Sequence, residues 1–269
     1  MSSGAQTPAV DNQGAAIGNP PERGQATSAQ LLTAEGRVVA ISGASRGLGA
    51  AIAKRLAAEG FTLSLGVRDP AATRARLNLD PARTDYHRFD ALDPASAERW
   101  IAGTVAARGR LDGLVNNAGI LKAVNFESDG EEALDALWAV NVKAPYRLIR
   151  HALPHLKAAG TGRIVNVAST DAKRYRDATV SVGYAMSKHA LLALSHAAKF
   201  AGWGDGVRVT ALCPGAIDTD LIAGLPGVTP SGNHLAPETV AEIVALLLRL
   251  PNTATVAELV VNTRLESTL

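Results

Sequence analysis

The sequence predicts a doubly wound α/β domain, with a parallel sheet of about seven strands and helices on both faces. Three observations lead there. Short apolar runs alternate with longer helical stretches about six times after Gly36. Most runs are continuous in Val, Ile and Leu rather than strictly alternating, as strands buried on both faces are. Hydrophobic residues make up 47% of the 269 residues, enough for a sizeable core, and no repeat period is visible.

Taken in order, residues 1 to about 32 are rich in Gly, Ala, Ser, Gln and Pro and lack aromatic residues. Such a stretch cannot offset its own ordering entropy, so it is expected as a disordered tail before a single domain over residues 33–269. The expected strands are Arg37–Ser42, Thr62–Val67, Tyr86–Phe89, Gly113–Asn116, Arg163–Ala168, Val207–Cys213 and Val256–Asn262. Helical stretches between them include Gly47–Glu59, Pro94–Arg108, Glu131–Leu156, Tyr184–Phe200 and Pro237–Arg249.

The first strand ends in Gly43-Ala44-Ser45-Arg46-Gly47-Leu48-Gly49, and a helix follows. Glycine permits the tight turn, and a helix N-terminus offers unpaired N–H groups and a positive dipole end to a pyrophosphate. Alone, a glycine-rich strand-to-helix turn is also found as plain structure. After the first strand of a repeated β-α pattern it reads as a Rossmann-type dinucleotide cradle. Arg68 and Asp69 lie 19 and 20 residues after Gly49. An acid there would bind the ribose hydroxyls of NAD, and an arginine would take the 2′-phosphate of NADP. Arg46 inside the loop tips the reading to NADP(H), since two guanidinium groups suit one phosphate dianion; NAD(H) is the runner-up.

Tyr184 and Lys188 are four apart and share a helical face. A phenol is a poor proton donor–acceptor at neutral pH unless its anion is stabilised, and a nearby ammonium does that. By itself the pair is also an ordinary helix surface pair. It stands, however, with Gly43-x3-Gly47-x-Gly49, Asn116-Asn117-Ala118-Gly119, Asn141, Ser169 and Pro214-Gly215, in that order. Through these motifs the sequence resembles the classical short-chain dehydrogenase/reductase family over roughly residues 33–264.

The resemblance implies an oxidoreductase that moves a hydride between NADP(H) and a small carbonyl or secondary alcohol. Tyr184 would be the general acid or base, Ser169 would hold the substrate oxygen, and Lys188 would lower the Tyr184 pKa and bind the nicotinamide ribose. Asn141 would hold a water of a proton relay. Ser45, Leu48 and the loop glycines would lie on the cofactor, Asp90 at the adenine edge, and Asn116, Ala118 and Gly119 along its length. Pro214 and Gly215 would lead to Ile217 and Thr219 at the carboxamide. The rivals are an NAD-linked enzyme of the same fold using Asp69 and a regulatory NADP-binding protein without turnover.

The chain departs from the family in three places. The Ser169–Tyr184 gap of 15 residues is longer than usual and holds Lys173, Arg174 and Arg176, which either meet an anionic substrate or are solvated or at a subunit contact. Leu221–Pro237, with Leu225, Pro226, Pro230 and His234, stands where the family has its substrate loop, and suggests a small, partly hydrophobic substrate. His234 is expected to be solvated. The last strand lacks the glycine pair of many relatives, which bears on subunit packing.

Other residues carry less. A net charge of +2 without basic blocks does not point to nucleic acid. No apolar run approaches the roughly 20 residues of a membrane span, and no secretory signal is visible. The single cysteine, Cys213, excludes a disulfide framework and is expected as a buried thiol. His151 and His155 read as helix-surface residues without a ligand set, so no metal is expected. Trp100, Trp138 and Trp203 read as packing residues. The expected setting is cytoplasmic, the expected state a homodimer or homotetramer.

Overall fold

The computed structural model describes residues 30–127, 130–222 and 234–263. Seven strands form one parallel sheet: β1 (Val38–Ser42), β2 (Thr62–Val67), β3 (Thr84–Arg88), β4 (Gly113–Asn116), β5 (Arg163–Val167), β6 (Arg208–Pro214) and β7 (Glu258–Val261). Their order is β3-β2-β1-β4-β5-β6-β7. The order reverses between β1 and β4, and such a reversal opens a crevice at the C-terminal strand ends.

The pleat of β1 shows how both faces come to be buried. Val39 and Ile41 face a core built with α1 (Gly47–Glu59) and α7 (Pro237–Arg249), through Ile52, Leu56, Val240 and Val244. Val38 and Ala40 face the other core, with Trp100 and Ile101 of α3 (Ser96–Arg108) and Leu148 and Ile149 of α5 (Ala144–Ala158). A strand covered on both sides has no polar face, which is why its sequence reads as an apolar run.

The remaining helices are α2 (Pro70–Leu77), α4 (Glu131–Trp138) and α6 (Val182–Gly202). The sequence reading had not singled out α2, although its start and stop signals are plain: Asp69 caps it, Pro70 opens it and Asn78 closes it with φ of 46°. The expected single helix Glu131–Leu156 is instead α4, a π-helical segment Ala139–Lys143, and α5. The physical reason is Pro145, which has no N–H to give to the Asn141 carbonyl; Ala144 N–H reaches back to Ala139 instead. Strand β3 starts two residues before the expected Tyr86, because an edge strand is half-buried and shows no continuous apolar run.

Trp100 is fully buried and donates from Nε1 to Ser64 Oγ at 2.9 Å. Trp203 is more exposed than expected, stacked under the Arg208 guanidinium at 3.8 Å. Cys213 is buried, and burial pushes its thiol up. Among the described residues no group of His, Cys, Asp or Glu is arranged to hold a metal, and no helix is long and apolar enough to cross a membrane. The expected tail, apart from its last residues, lies outside the described residues.

Candidate active site

A cleft of about 720 Å³ runs along the C-terminal ends of the strands, from the glycine loop and Arg68 to Tyr184 and the segment after β6. The loop is built for close approach. Gly43 has φ of +71°, and a Cβ there would lie 2.9 Å from the Ala118 backbone. Helix α1 begins with no side-chain cap, so its first N–H groups remain available to an anion. Asn117 fastens this loop to the end of β4: its Nδ2 donates to the carbonyls of Ser42 and Gly43 at 3.0 and 3.1 Å. Ser42 Oγ in turn accepts from Asn117 N and Ala118 N, both at 3.0 Å.

At the end of β2 the two candidates part company. Arg68 lines the cleft. The Asp69 carboxylate accepts from Ala72 N at 3.0 Å as the α2 cap and does not line it. Asp90 lines the cleft, one carboxylate oxygen accepting from Leu92 N at 3.0 Å. Arg46 lines it too, and pairs at 3.1 Å with Asp220 in the segment beyond β6.

At the other end, Tyr184 sits in the first turn of α6, where Ser181 caps the helix by accepting from Tyr184 N at 3.2 Å. Lys188, one turn on, is buried and donates from Nζ to the Val167 carbonyl at 2.8 Å. Its Nζ lies 5.5 Å from the centre of the Tyr184 ring. Ser169 follows β5, its Oγ accepting from Asp171 N at 3.1 Å. Burial pushes the Tyr184 phenol well above its ordinary value; Asp171 adds to this, and a hydrogen bond with Ser169 opposes it. Burial brings the Lys188 ammonium down to about 8, against the nearby Cys213 and Asp171. The expected lowering of Tyr184 by Lys188 therefore does not set the direction; burial does.

Asn141 lies in the π-helical segment, 1% exposed. Its Oδ1 accepts from Ile120 N and its Nδ2 donates to Ile120 O, each at 2.9 Å. The same Nδ2 donates to Ser187 Oγ at 3.0 Å. A Cβ on Gly119 would stand 3.4 Å from Asn141 Oδ1 and 3.7 Å from Lys188 Nζ, so both polar groups meet behind Gly119.

Two expected site residues are thus not on the cleft wall. Asn141 stands behind it, and Asn116 is buried in the sheet with its Nδ2 on Asn166 Oδ1 at 2.7 Å. Asn117 takes the wall position, because successive residues at a strand end point to opposite sides. Ser45, Gly47, Leu48, Gly49, Ala118, Gly119, Pro214, Gly215, Ile217 and Thr219 all line the cleft. Ser187, which joins Asn141 to α6, has no counterpart among the expected site residues; a serine between Tyr184 and Lys188 gives no signal that it is buried and bonded.

The basic residues after Ser169 do not reach the cleft. Lys173 pairs with Glu258 on β7, which also accepts from or pairs with His196 Nε2 at 2.6 Å, and Arg176 pairs with Asp177 at 2.8 Å. His234 is not solvated as expected: its side chain is largely covered, 3.8 Å from Asp218. Leu225, Pro226 and Pro230 lie outside the described residues.

A glycine turn at the first strand end, opening on a cleft where strand order reverses, defines a Rossmann-type protein. The chain belongs to the short-chain dehydrogenase family, whose model, described as short chain dehydrogenase, matches residues 37–226. The agropine synthesis reductase of Rhizobium rhizogenes is 37% identical over 218 residues, 81% of this chain and 50% of that protein. The chain therefore spans about half the length of that relative. An alcohol dehydrogenase of the archaeon Thermococcus sibiricus, complexed with 5-hydroxy-NADP, superposes with a TM-score of 0.74 at 30% identity, covering 86% of this chain and 99% of that one. A 3-ketoacyl-(acyl-carrier-protein) reductase of Brucella melitensis complexed with NADH does so with a TM-score of 0.76 at 31% identity, covering 85% and 98%.

Proposed function

We propose that the chain transfers a hydride between NADP(H) and a small carbonyl or secondary alcohol, with Ser169, Tyr184 and Lys188 handling the proton and Asn141 positioning their helix. The observation that carries this reading is one cleft joining a glycine-rich anion cradle to the half-buried Tyr184 and the buried Lys188 and Ser169. The cradle fits a pyrophosphate, since close-approach glycines and uncapped helix N–H groups face the cleft. Arg68 would hold the 2′-phosphate. Lys188 and Tyr184 would face the nicotinamide ribose.

When bound, the nicotinamide supplies or takes the hydride. Tyr184, kept protonated by burial, donates its proton to the substrate oxygen in reduction. The Ser169 hydroxyl donates to the same oxygen and offsets its developing charge. Lys188 stabilises the phenolate as it forms. Asn141, clamped to the Ile120 backbone and Ser187, holds the Tyr184 helix in register with the cleft wall. Ile120, Leu121, Val140, Leu221 and Ile222 line the same cleft, which suits a substrate with an apolar body.

The engagement of Asp69 as a helix cap favours NADP(H) over NAD(H), and the Thermococcus complex supports it. The Brucella complex keeps NAD(H) as the second reading. A homo-oligomer is the assembly we favour, on the strength of exposed Tyr146, Met186 and Phe200 on α5 and α6. Calorimetric titration with NADPH and with NADH tests the cofactor reading. NADPH is expected to bind at least about tenfold tighter, the size of one added charge-assisted bond; equal or tighter NADH binding would move the ribose contact to Asp69.

The Lys188 shift makes a second prediction. Its ammonium is present below about pH 8 and lost above it. In the reducing direction kcat/KM is therefore expected to fall as pH rises through about 8. A profile flat from neutral pH to well above that value would remove Lys188 from the proton transfer.

A further inference from the structure

We infer that Arg76 is a second guanidinium for the 2′-phosphate of NADP(H), acting with Arg68. This rests on the NADP(H) reading above. It differs from the sequence-based pairing of Arg68 with Arg46. Helix α2, which carries Arg76, leaves directly from the end of β2, where Arg68 lines the cleft. Its orientation is fixed at both ends. Asp69 caps it, Thr73 Oγ1 donates to the Asp69 carbonyl at 2.7 Å, and Thr73 and Leu77 are buried. Its last turn leans back on the glycine loop: Arg76 Nη1 donates to the Ser45 carbonyl at 2.9 Å. Ser45 lines the cleft; Arg76 itself does not, and reaches it through this bond. Arg76 thus bridges the loop and the helix that starts beside Arg68, where a phosphate on the adenosine ribose has to lie.

Two of the neighbouring cations are otherwise engaged. Arg74, on the same helix, lies over the Tyr86 ring at 5.1 Å. Arg46 is drawn to Asp220, in the segment after β6. Arg76 is exposed, and among the described residues no carboxylate pairs with it. A guanidinium has five N–H donors, and the Ser45 carbonyl takes one. The rest can meet a phosphate in the bidentate geometry that arginine favours.

The test is calorimetry on purified full-length chain carrying R76Q, R68Q or R46Q, titrated with NADPH, NADH and 2′,5′-ADP. R76Q is expected to weaken NADPH and 2′,5′-ADP by about tenfold or more, as loss of a charge-assisted bond does. NADH should change less than about twofold, and R46Q should cost NADPH only a few-fold, as an exposed ion pair does. R76K should recover part of the loss, being a charge without the fork. If R68Q weakens NADPH while R76Q does not, the inference is overturned and the NADP(H) reading stands. If R76Q weakens NADH equally, Arg76 is only a prop for the Ser45 loop, and the inference is overturned again. If wild type shows no preference for NADPH and R68Q changes nothing, the NADP(H) reading falls and takes Arg76 with it.

Discussion

Replacing Tyr184 with Phe is expected to lower turnover by roughly 10²- to 10⁴-fold while NADPH binds within about twofold of wild type. The reasoning starts from what the substitution leaves in place. Tyr184 is held by its backbone, through the Ser181 cap and the first turn of α6, and Phe keeps both. The ring still fills its place beside Lys188. Ser169 loses the phenol as a partner but keeps the Asp171 N–H at 3.1 Å. Only the proton donor disappears. Its neighbours cannot replace it: Lys188 is tied to the Val167 carbonyl, and Asp171 belongs to the turn that follows Ser169. Since the phenol acts in the transition state, kcat and kcat/KM should fall together with little change in KM. Steady-state kinetics on a panel of ketones and aldehydes, with NADPH affinity measured separately, checks this. Turnover kept within tenfold would assign the proton to another group. Unchanged NADPH binding without turnover in wild type itself would instead favour the regulatory reading.

Much of this arrangement is legible in the sequence, for a physical reason. Strands β2 and β4 and helices α1 and α7 have the bounds their residues predict. Each is defined by local signals: an apolar run covered on both sides, a glycine turn, or a proline at a helix start. The convergence of Ser169, Tyr184 and Lys188 is also legible, because the ends of parallel strands and the helices after them meet on one edge of the sheet. What escapes the sequence is whatever depends on a distant partner. The role of Asn117 exists only through the Ser42 and Gly43 carbonyls. That of Ser187 exists only through Asn141. Arg76 is unremarkable until α2 sets it against Ser45. The basic residues after Ser169 show the converse. Their charge left an anion site open beside a solvated or subunit-contact face, and the fold gives Lys173 to Glu258 and Arg176 to Asp177.

Gly49→Ala is expected to lose NADPH affinity by roughly 10²-fold, the cost of displacing a positioning group by about an ångström. A methyl group at this position would stand 2.2 Å from the Gly43 carbonyl oxygen and 2.5 Å from Asn117 Nδ2. Those two atoms are the acceptor and donor of one hydrogen bond, 3.1 Å long, which ties the glycine loop to the end of β4. Neither can yield cheaply: one is backbone, and the other also holds the Ser42 carbonyl. Overpacking costs about 1–3 kcal/mol. Against it stands the helical preference of alanine over glycine, about 1 kcal/mol, since Gly49 lies in the first turn of α1. The net cost is up to about 2 kcal/mol, so the melting temperature should fall. The loop, however, must move from the position in which it would accept a pyrophosphate. Gly204→Ala is the control: nothing lies within 4 Å of its added methyl, and both melting and binding should match wild type. Wild-type NADPH affinity in Gly49→Ala would mean that the pyrophosphate does not rest on this loop.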